Sequence, residues 1–297
     1  MSLRRYLVVR TAWSAGVLFA FVSLAYLFVW VFWAGRGPGP HLSYGHFVAD
    51  LSHGSLGRSI NRRMPGAPEG RSVDWIVWHA TTPTLSLVLV AALFTLLIAA
   101  PLALLYPRAR RPVRGFEYLG ASLQPIWVGL MLLYLAFKVG LNPVTGYCSI
   151  RASPVTSCHG PVRWISHLLL PALTLALFFS AIYCRHLRHA FGEVRTDYRE
   201  RTGDGEEPGA VRRDLRRIYG LSFAKLLGRD FGVALGLATF IEMSFGIPGL
   251  GRTFFQALLF DPPVGAGVLV WAATLAAGAN LAVDLTCAGA DSRFRRF

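Results

Sequence analysis

Residues 78–106 read WHATTPTLSLVLVAALFTLLIAAPLALLY, a run of 29 residues with no lysine, arginine, aspartate or glutamate. An α-helix rises about 1.5 Å per residue, so about 20 apolar residues cross the roughly 30 Å hydrocarbon core of a bilayer. The run Trp78–Tyr106 exceeds that requirement. It therefore predicts a transmembrane helix, and with it a chain that is embedded in a membrane.

Five further runs support the same prediction because each is apolar over most of its length. They are Leu7–Trp33, Tyr118–Val139, Trp164–Tyr183, Phe231–Phe245 and Val264–Cys287. The run 231–245 is the weakest, since Asp230 precedes it and Glu242 lies near its end. We expect that helix to begin near Leu221, in surroundings buried by protein. The sequence thus predicts an all-α, polytopic membrane protein with about six transmembrane helices, forming a single domain over residues 1–297.

The composition of the chain agrees with this prediction. Hydrophobic residues make up 54% of the sequence and the mean hydropathy is +0.45, above what an ordinary soluble domain carries. Only 15% of the residues are charged, yet 30 lysines and arginines stand against 16 aspartates and glutamates, a formal net charge of +14. A basic surface for nucleic acid is one explanation of that excess, and a membrane is the other.

The positions of the basic residues favour the membrane. Alternate segments between the predicted helices hold 21 of the 30, and these segments are 1–10, 107–114, 185–229 and 288–297. Short basic segments beside long apolar runs follow the positive-inside rule and not the pattern of a nucleic-acid surface. We therefore expect no nucleic-acid partner. Both termini and a segment of about 185–225 are expected to be cytoplasmic, with loops of about 34–77 and 140–163 outside.

Two of the four cysteines, Cys148 and Cys158, share the external loop of about 140–163. An oxidising exterior favours a disulfide between them, while two separate thiols remain the alternative because spacing alone does not define the geometry. A metal site is disfavoured, since His159 is the only added soft ligand and no Cys-x-x-Cys pattern is present. The loop therefore carries a candidate disulfide and no expected metal ion.

The sequence contains none of the common signatures of a catalytic or nucleotide-binding centre. A phosphate-binding G-x-x-x-x-G-K-[ST] loop, a G-x-S-x-G nucleophile elbow, an H-E-x-x-H zinc pair and a strand-borne G-x-G-x-x-G are all missing. The chain is therefore not expected to be an enzyme, to hydrolyse ATP by itself or to hold a cofactor.

Residues 242–252 read EMSFGIPGLGR and resemble the E-x-x-F-x-x-P-G-L-G-R element of binding-protein-dependent ABC permeases for peptides and nickel. The residues that carry this resemblance are Glu242, Phe245, Pro248, Gly249, Gly251 and Arg252. On physical grounds Pro248 is expected to end a helix, and Gly249 and Gly251 to permit a tight external turn at positive φ. An acid such as Glu242 inside a membrane protein needs a buried partner or a water-lined path.

The resemblance to this family covers almost the whole chain in seven ordered matches. HLLLPALTL at 167–175 is similar to the family's fourth helix, with Pro171 at its proline, and NLAVDL at 280–285 is similar to its carboxyl end, with Asp284 at its acid. The resemblance implies the fold of a type I ABC importer permease in a bacterial inner membrane. It also implies two cytoplasmic ATPase subunits, an extracytoplasmic solute-binding protein, a second homologous permease subunit and surrounding membrane lipid.

One departure concerns the cytoplasmic segment through which the family's permeases contact their ATPases. The family has D-Y-V-x-x-A-x-x-x-G there, whereas Asp197-Tyr198 is followed here by RERTGDGEEPGA. Glycine and proline in residues 203–209 predict a solvated loop, so the coupling helix is expected to be shortened, shifted or remodelled. By resemblance Tyr198 and Gly205 are coupling residues. Val211, Leu215 and Ile218 are added to them because their spacing predicts one apolar helical face.

The function that this resemblance implies is alternating access, in which a solute crosses between two permease subunits and separate ATPases supply the work. Peptides are favoured over nickel as the solute because peptide import is the commoner role of the family. Two alternatives stay open. One is a degenerate, non-transporting scaffold half of a permease heterodimer, which the altered coupling segment would allow. The other is a channel or secondary transporter without an ATPase, although the internal repeats typical of secondary transporters are not evident.

The external cysteines give a first testable prediction. In membranes prepared without reductant, we expect Cys148 and Cys158 to be joined, because the loop is predicted to face an oxidising compartment. Mass spectrometry after alkylation, before and after reduction, measures this directly. Alkylation of both thiols in the unreduced sample would contradict the bridge.

Overall fold

The computed structural model describes the backbone of residues 3–33, 44–60, 71–141, 145–147, 161–202 and 208–290. Within these residues the chain forms nine helices and one isolated antiparallel bridge, which joins Arg58 to Ser72. The helices are α1 (Leu3–Trp33), α2 (Tyr44–Ser52), α3 (Val73–Leu105), α4 (Arg110–Ser122), α5 (Pro125–Lys138), α6 (Pro161–Thr202), α7 (Pro208–Phe245), α8 (Leu250–Phe260) and α9 (Pro262–Ala290). The predicted all-α class is confirmed.

Four of these helices, α1, α3, α6 and α9, are each long and apolar enough to cross a bilayer. Two further crossings arise when each of two bent pairs is taken as one span: α4 with α5, and α7 with α8. The count therefore reaches the six that the apolar runs predict. Every predicted run falls on one of these helices or pairs.

The third predicted run, Tyr118–Val139, is not one helix. It breaks at Leu123 and Gln124, and α4 and α5 meet at an angle of 102°. The cause is Pro125, which occupies the first position of α5 and forces the preceding Gln124 into extended backbone (φ −67°, ψ 132°).

The helices around the basic segment 185–229 are longer than expected. The fifth span was expected to begin near Leu221, but α7 begins at Pro208, and α6 continues to Thr202. Most of the segment of about 185–225 that was expected as a loop is therefore helical. Proline is favourable at the first position of a helix, so Pro208 starts α7 where it was expected to extend the loop. Residues 203–207 lie outside the described residues.

The main buried cluster lies where α3, α6 and α7 pack together, around Leu87, Leu175, Tyr183 and Ile241. Small residues allow the neighbouring helices to approach closely, as is common in membrane bundles. A Cβ added to Gly120 of α4 would lie 2.5 Å from the Cβ of Ala181 on α6. One added to Gly228 of α7 would lie 2.6 Å from the Cβ of Val283 on α9, and one on Gly129 of α5 would lie 3.1 Å from Thr174.

Helix α1 packs chiefly on α9 and is exposed over most of its surface. Ala25 is buried against Ala266 and Val270 of α9. Near the other end of α1, the side chain of Arg10 donates a hydrogen bond to the carboxylate of Asp284, and only 5% of Asp284 is exposed. An ion pair thus joins the first helix to the last.

The segment after α2 is tied to the start of α3 by hydrogen bonds. Ser59 N donates to the carbonyl of Arg71, and Val73 N donates to the carbonyl of Gly57, both at 3.0 Å. The carboxylate of Asp74 accepts from Leu56 N at 3.2 Å. Within the loop predicted over 34–77, residues 53–60 are therefore hydrogen-bonded to the start of α3, and we call this segment the strap.

The tight contact at Gly120 predicts a difference between two glycines of the same helix. Gly120→Ala is expected to lower stability by about 1–3 kcal/mol, because the new methyl group collides with Ala181. Gly115→Ala is the matched control: it meets nothing within 4 Å and gains helix propensity. Thermal unfolding of the purified protein in detergent measures both. Equal melting temperatures for the two variants would contradict the packing.

Candidate functional site

The segment between α7 and α8 contains most of the residues that the sequence singles out. Helix α7 ends at Phe245, and Gly246 follows with a positive φ of 72°. Ile247 N donates to the carbonyl of Glu242 at 2.9 Å, which is the six-to-one bond of a Schellman cap. The helix is therefore ended by Gly246, and Pro248 follows two residues later.

This geometry corrects the expectation for Gly249 and Gly251. Neither has positive φ: Gly249 is extended, with φ −97° and ψ −172°, and Gly251 lies in the first turn of α8. They are needed for close approach instead. A Cβ on Gly249 would lie 2.3 Å from the carboxyl carbon of Glu242, and one on Gly251 would lie 2.3 Å from the Cα of Thr239.

Glu242 is fully buried, and both of its carboxylate oxygens accept hydrogen bonds. Thr84 of α3 donates its hydroxyl to Oε1 at 2.6 Å. The backbone N–H groups of Gly251 and Arg252 donate to Oε2 at 2.8 and 3.1 Å. An acid inside a membrane protein was expected to need either a buried partner or a water-lined path, and these contacts are buried partners.

The carboxylate of Glu242 takes the place of a capping side chain for α8. The cap position of that helix is Gly249, which has no side chain to satisfy the free N–H groups of the first turn. Glu242 accepts from the second and third of these groups, and the hydroxyl oxygen of Thr84 accepts from the first, Leu250 N, at 2.7 Å. The carboxyl oxygens also lie at the positive end of the helix dipole.

Two backbone carbonyl groups at the carboxyl end of α7 accept hydrogen bonds from other parts of the chain. The guanidinium of Arg252 donates to the carbonyl of Gly246 at 2.6 Å, and Gly146 N donates to the carbonyl of Phe245 at 2.7 Å. The loop that carries Gly146 is in turn held to α6, because Trp164 donates to the hydroxyl of Tyr147 at 3.2 Å. The turn therefore joins α3, α6, α7 and α8.

The predicted residues separate into those at this turn and those elsewhere. The turn brings together Glu242, Phe245, Pro248, Gly249, Gly251 and Arg252. Pro171 is buried within α6, and Asp284 lies about 33 Å along α9 from its start, paired with Arg10. Thr84 was not among the predicted residues, although a threonine inside an apolar run indicates that a polar partner lies near.

A second buried acid, also missed, lies at the junction of α8 and α9. Asp261 is fully buried, and its Oδ2 accepts from the hydroxyl of Ser59 at 2.6 Å and from Ile60 N at 3.1 Å. It thereby anchors the strap after α2 to the start of α9. Across the described residues, three or more His, Cys, Asp and Glu side chains do not come together as a metal site.

The coupling residues are only partly described. Tyr198 lies in α6, and Val211, Leu215 and Ile218 lie in α7, where the backbone is helical. Gly205 lies outside the described residues, as do Cys148 and Cys158. Cys184 and Cys287 are buried, the first well inside α6.

Comparison with known proteins gives a consistent result. Residues 96–296 match the family described as "Binding-protein-dependent transport system inner membrane component". The chain is 26% identical over 264 residues to the "Probable peptide ABC transporter permease protein y4tP" of Sinorhizobium fredii, covering 86% of this chain and 80% of that protein. It is 28% identical over 282 residues to the "Dipeptide transport system permease protein DppB" of Alkalihalophilus pseudofirmus, covering 86% and 81%. The DppB protein of Escherichia coli is 27% identical over 284 residues, covering 85% and 80%.

The capping role of Glu242 gives a prediction on stability. Glu242→Ala leaves the N–H groups of Gly251 and Arg252 without an acceptor in a buried site, so we expect a loss of about 3 kcal/mol. Glu242→Gln keeps an acceptor and is expected to lose less. Thermal unfolding and recovery from membranes measure the effect, with Asp50→Ala, an exposed acid of α2, as the control. An Ala variant as stable as the control would contradict the capping role.

Proposed function

Because this chain belongs to the family of binding-protein-dependent transport system inner membrane components, we propose that it forms one half of a peptide pathway across that membrane. As a member, it is a multi-pass inner-membrane permease subunit of an ABC importer, a class that works with separate ATPases and a solute-binding protein. The peptide substrate, the second subunit and the orientation in the membrane are the proposed parts.

Peptides are the proposed solute because the similar proteins carry that word in their names. One is named a peptide permease and two are named dipeptide permeases, and each matches this chain over about 85% of its length. Nickel, the other solute considered for the family, appears in none of these names. The similarity extends over nearly the whole chain, which supports the same class of solute rather than a shared helix pattern alone.

The proposed orientation places both termini and the basic segment 185–229 in the cytoplasm. Its support is the distribution of lysine and arginine, 21 of 30 of which lie in alternate segments that this orientation puts on one side. The turn at Glu242 then lies towards the outside, together with the strap after α2. This assignment puts the external cysteines in the compartment where a disulfide is stable.

The proposed contact with the ATPases lies where α6 and α7 extend past their apolar runs. Helix α6 has 42 residues, about 63 Å, whereas about 20 residues cross the hydrocarbon core. The part of α6 beyond its apolar run contains Tyr198. The part of α7 before its apolar run contains Val211, Leu215 and Ile218. The contact residues are these four and Gly205 between the two helices.

A second homologous subunit is proposed to complete the pathway. Large apolar side chains are exposed along α3 and α5, among them Leu93, Leu97, Trp127, Met131 and Phe137. Such faces need a cover of lipid or protein. A permease partner on part of this surface, with lipid on the rest, satisfies that need. The scaffold and channel alternatives are not favoured, since the similarity is to permeases of ABC importers throughout.

The proposed contact predicts the effect of two substitutions. Tyr198→Ala and Leu215→Ala are expected to lower recovery of the ATPases with the permease, and uptake of radiolabelled alanyl-alanine, by about tenfold, the loss of a few buried contacts. Membrane insertion should be unchanged. Trp13→Ala, an exposed residue of α1, is the control and should behave as the unaltered protein.

Three outcomes separate the proposals. Unchanged recovery and uptake in both variants would remove the coupling role from Tyr198 and Leu215. Uptake of alanyl-alanine by the unaltered complex, competed by other dipeptides and not by nickel ions, supports the peptide pathway. Competition by nickel ions alone would overturn it.

A further inference from the structure

Arg188 of α6 is in contact with two other helices. Its Nε and Nη2 atoms donate to the two carboxylate oxygens of Glu117 on α4, at 3.2 and 3.1 Å. The same guanidinium lies over the ring of Tyr106, 4.2 Å from the ring centroid, at the carboxyl end of α3. One side chain of α6 therefore contacts both α4 and the carboxyl end of α3.

The contact is partly enclosed by protein. Only 6% of the Glu117 side chain and 20% of the Arg188 side chain are exposed. Arg114 of α4 donates to the hydroxyl of Tyr106 at 3.1 Å, which holds that ring from the side of α4 as well. A two-pronged pair of this kind has both a defined distance and a defined angle, unlike a single ion pair on an open surface.

Arg188 lies where the apolar part of α6 ends and its extension begins. The apolar part of α6 ends at His189, and the helix continues to Thr202 without a proline. Two turns before Arg188, Ala181 packs tightly against Gly120 of α4. Helix α6 is thus held to α4 at two levels, immediately before the extension that carries Tyr198.

We propose that Glu117 and Arg188 are a positioning pair that transmits movement of the α6 extension into α4 and the end of α3. The inference rests on the proposed contact between that extension and the ATPases. A helix that is bound at two levels cannot tilt alone, so displacement of the extension carries α4 with it. Without the pair, the extension still moves, but the movement is not delivered to the helices that line the main buried cluster.

A lipid-anchoring role for Arg188 is the competing account, since arginine near the end of a span often binds anionic headgroups. The geometry opposes it. Two of the five guanidinium N–H donors face Glu117, the face of the guanidinium covers Tyr106, and only 20% of the side chain is exposed to a headgroup. The exposed arginines Arg110 and Arg111 of α4 suit that role better.

Hydrogen–deuterium exchange in the assembled complex tests the pair. The complex, with its ATPases, is compared without nucleotide and after trapping with ATP and vanadate, and exchange is measured in residues 189–202 and in α4. The unaltered protein is expected to respond in both segments. In Glu117→Ala the segment 189–202 is expected to respond as before, while the response of α4 falls by about tenfold, within the range of coupling through a contact network.

Arg111→Gln is the matched control, since it removes an exposed charge from the same helix and should leave both responses intact. A normal α4 response in Glu117→Ala would overturn the positioning role. If Glu117→Ala does not assemble, Glu117→Gln, which keeps the shape and loses the charge, takes its place, and an unreduced α4 response there would overturn the role equally. Absence of any response in residues 189–202 of the unaltered protein would overturn the ATPase contact itself, and the inference with it.

Discussion

The carboxylate of Glu242 at the start of α8 is the interaction on which the packing around the α7–α8 turn of this permease depends. The chain turns back on itself after α7, and because this turn is buried, the free N–H groups of the new helix must find acceptors within the protein. Glu242 and Thr84 supply these acceptors from two other helices. Because each of the four segments α3, α6, α7 and α8 contributes to the turn or to the loop packed on it, the relative positions of all four depend on this contact.

This arrangement explains the fixed spacing of the EMSFGIPGLGR segment better than a flexible loop does. Gly246 reverses the chain, Gly249 leaves room for the carboxylate, and Gly251 allows α8 to touch α7 at Thr239. Arg252 then closes the turn on the carbonyl of Gly246. Each glycine is needed for a different physical reason, so a shift of any of them by one position would place a side chain where none fits.

Much of the fold could be predicted from the sequence, because the length of an apolar run is a local property that the bilayer thickness defines. The six spans, the family and the burial of Glu242 all follow from such local patterns. What could not be predicted depends on partners far away along the chain: Thr84 lies 158 residues from Glu242, and Glu117 lies 71 residues from Arg188. The break at Gln124 and the helical start at Pro208 were missed for another reason, since proline both ends and begins helices and its neighbours decide which.

The pairing of α1 with α9 has a consequence for biosynthesis. The ribosome delivers α1 to the membrane first and α9 last, and Arg10 and Asp284 are 274 residues apart. During nearly the whole of translation, therefore, α1 has lipid as its neighbour and lacks the helix against which it finally packs. Closure of the bundle is therefore a late event that follows membrane insertion. A nascent chain that stalls before α9 leaves α1 undocked.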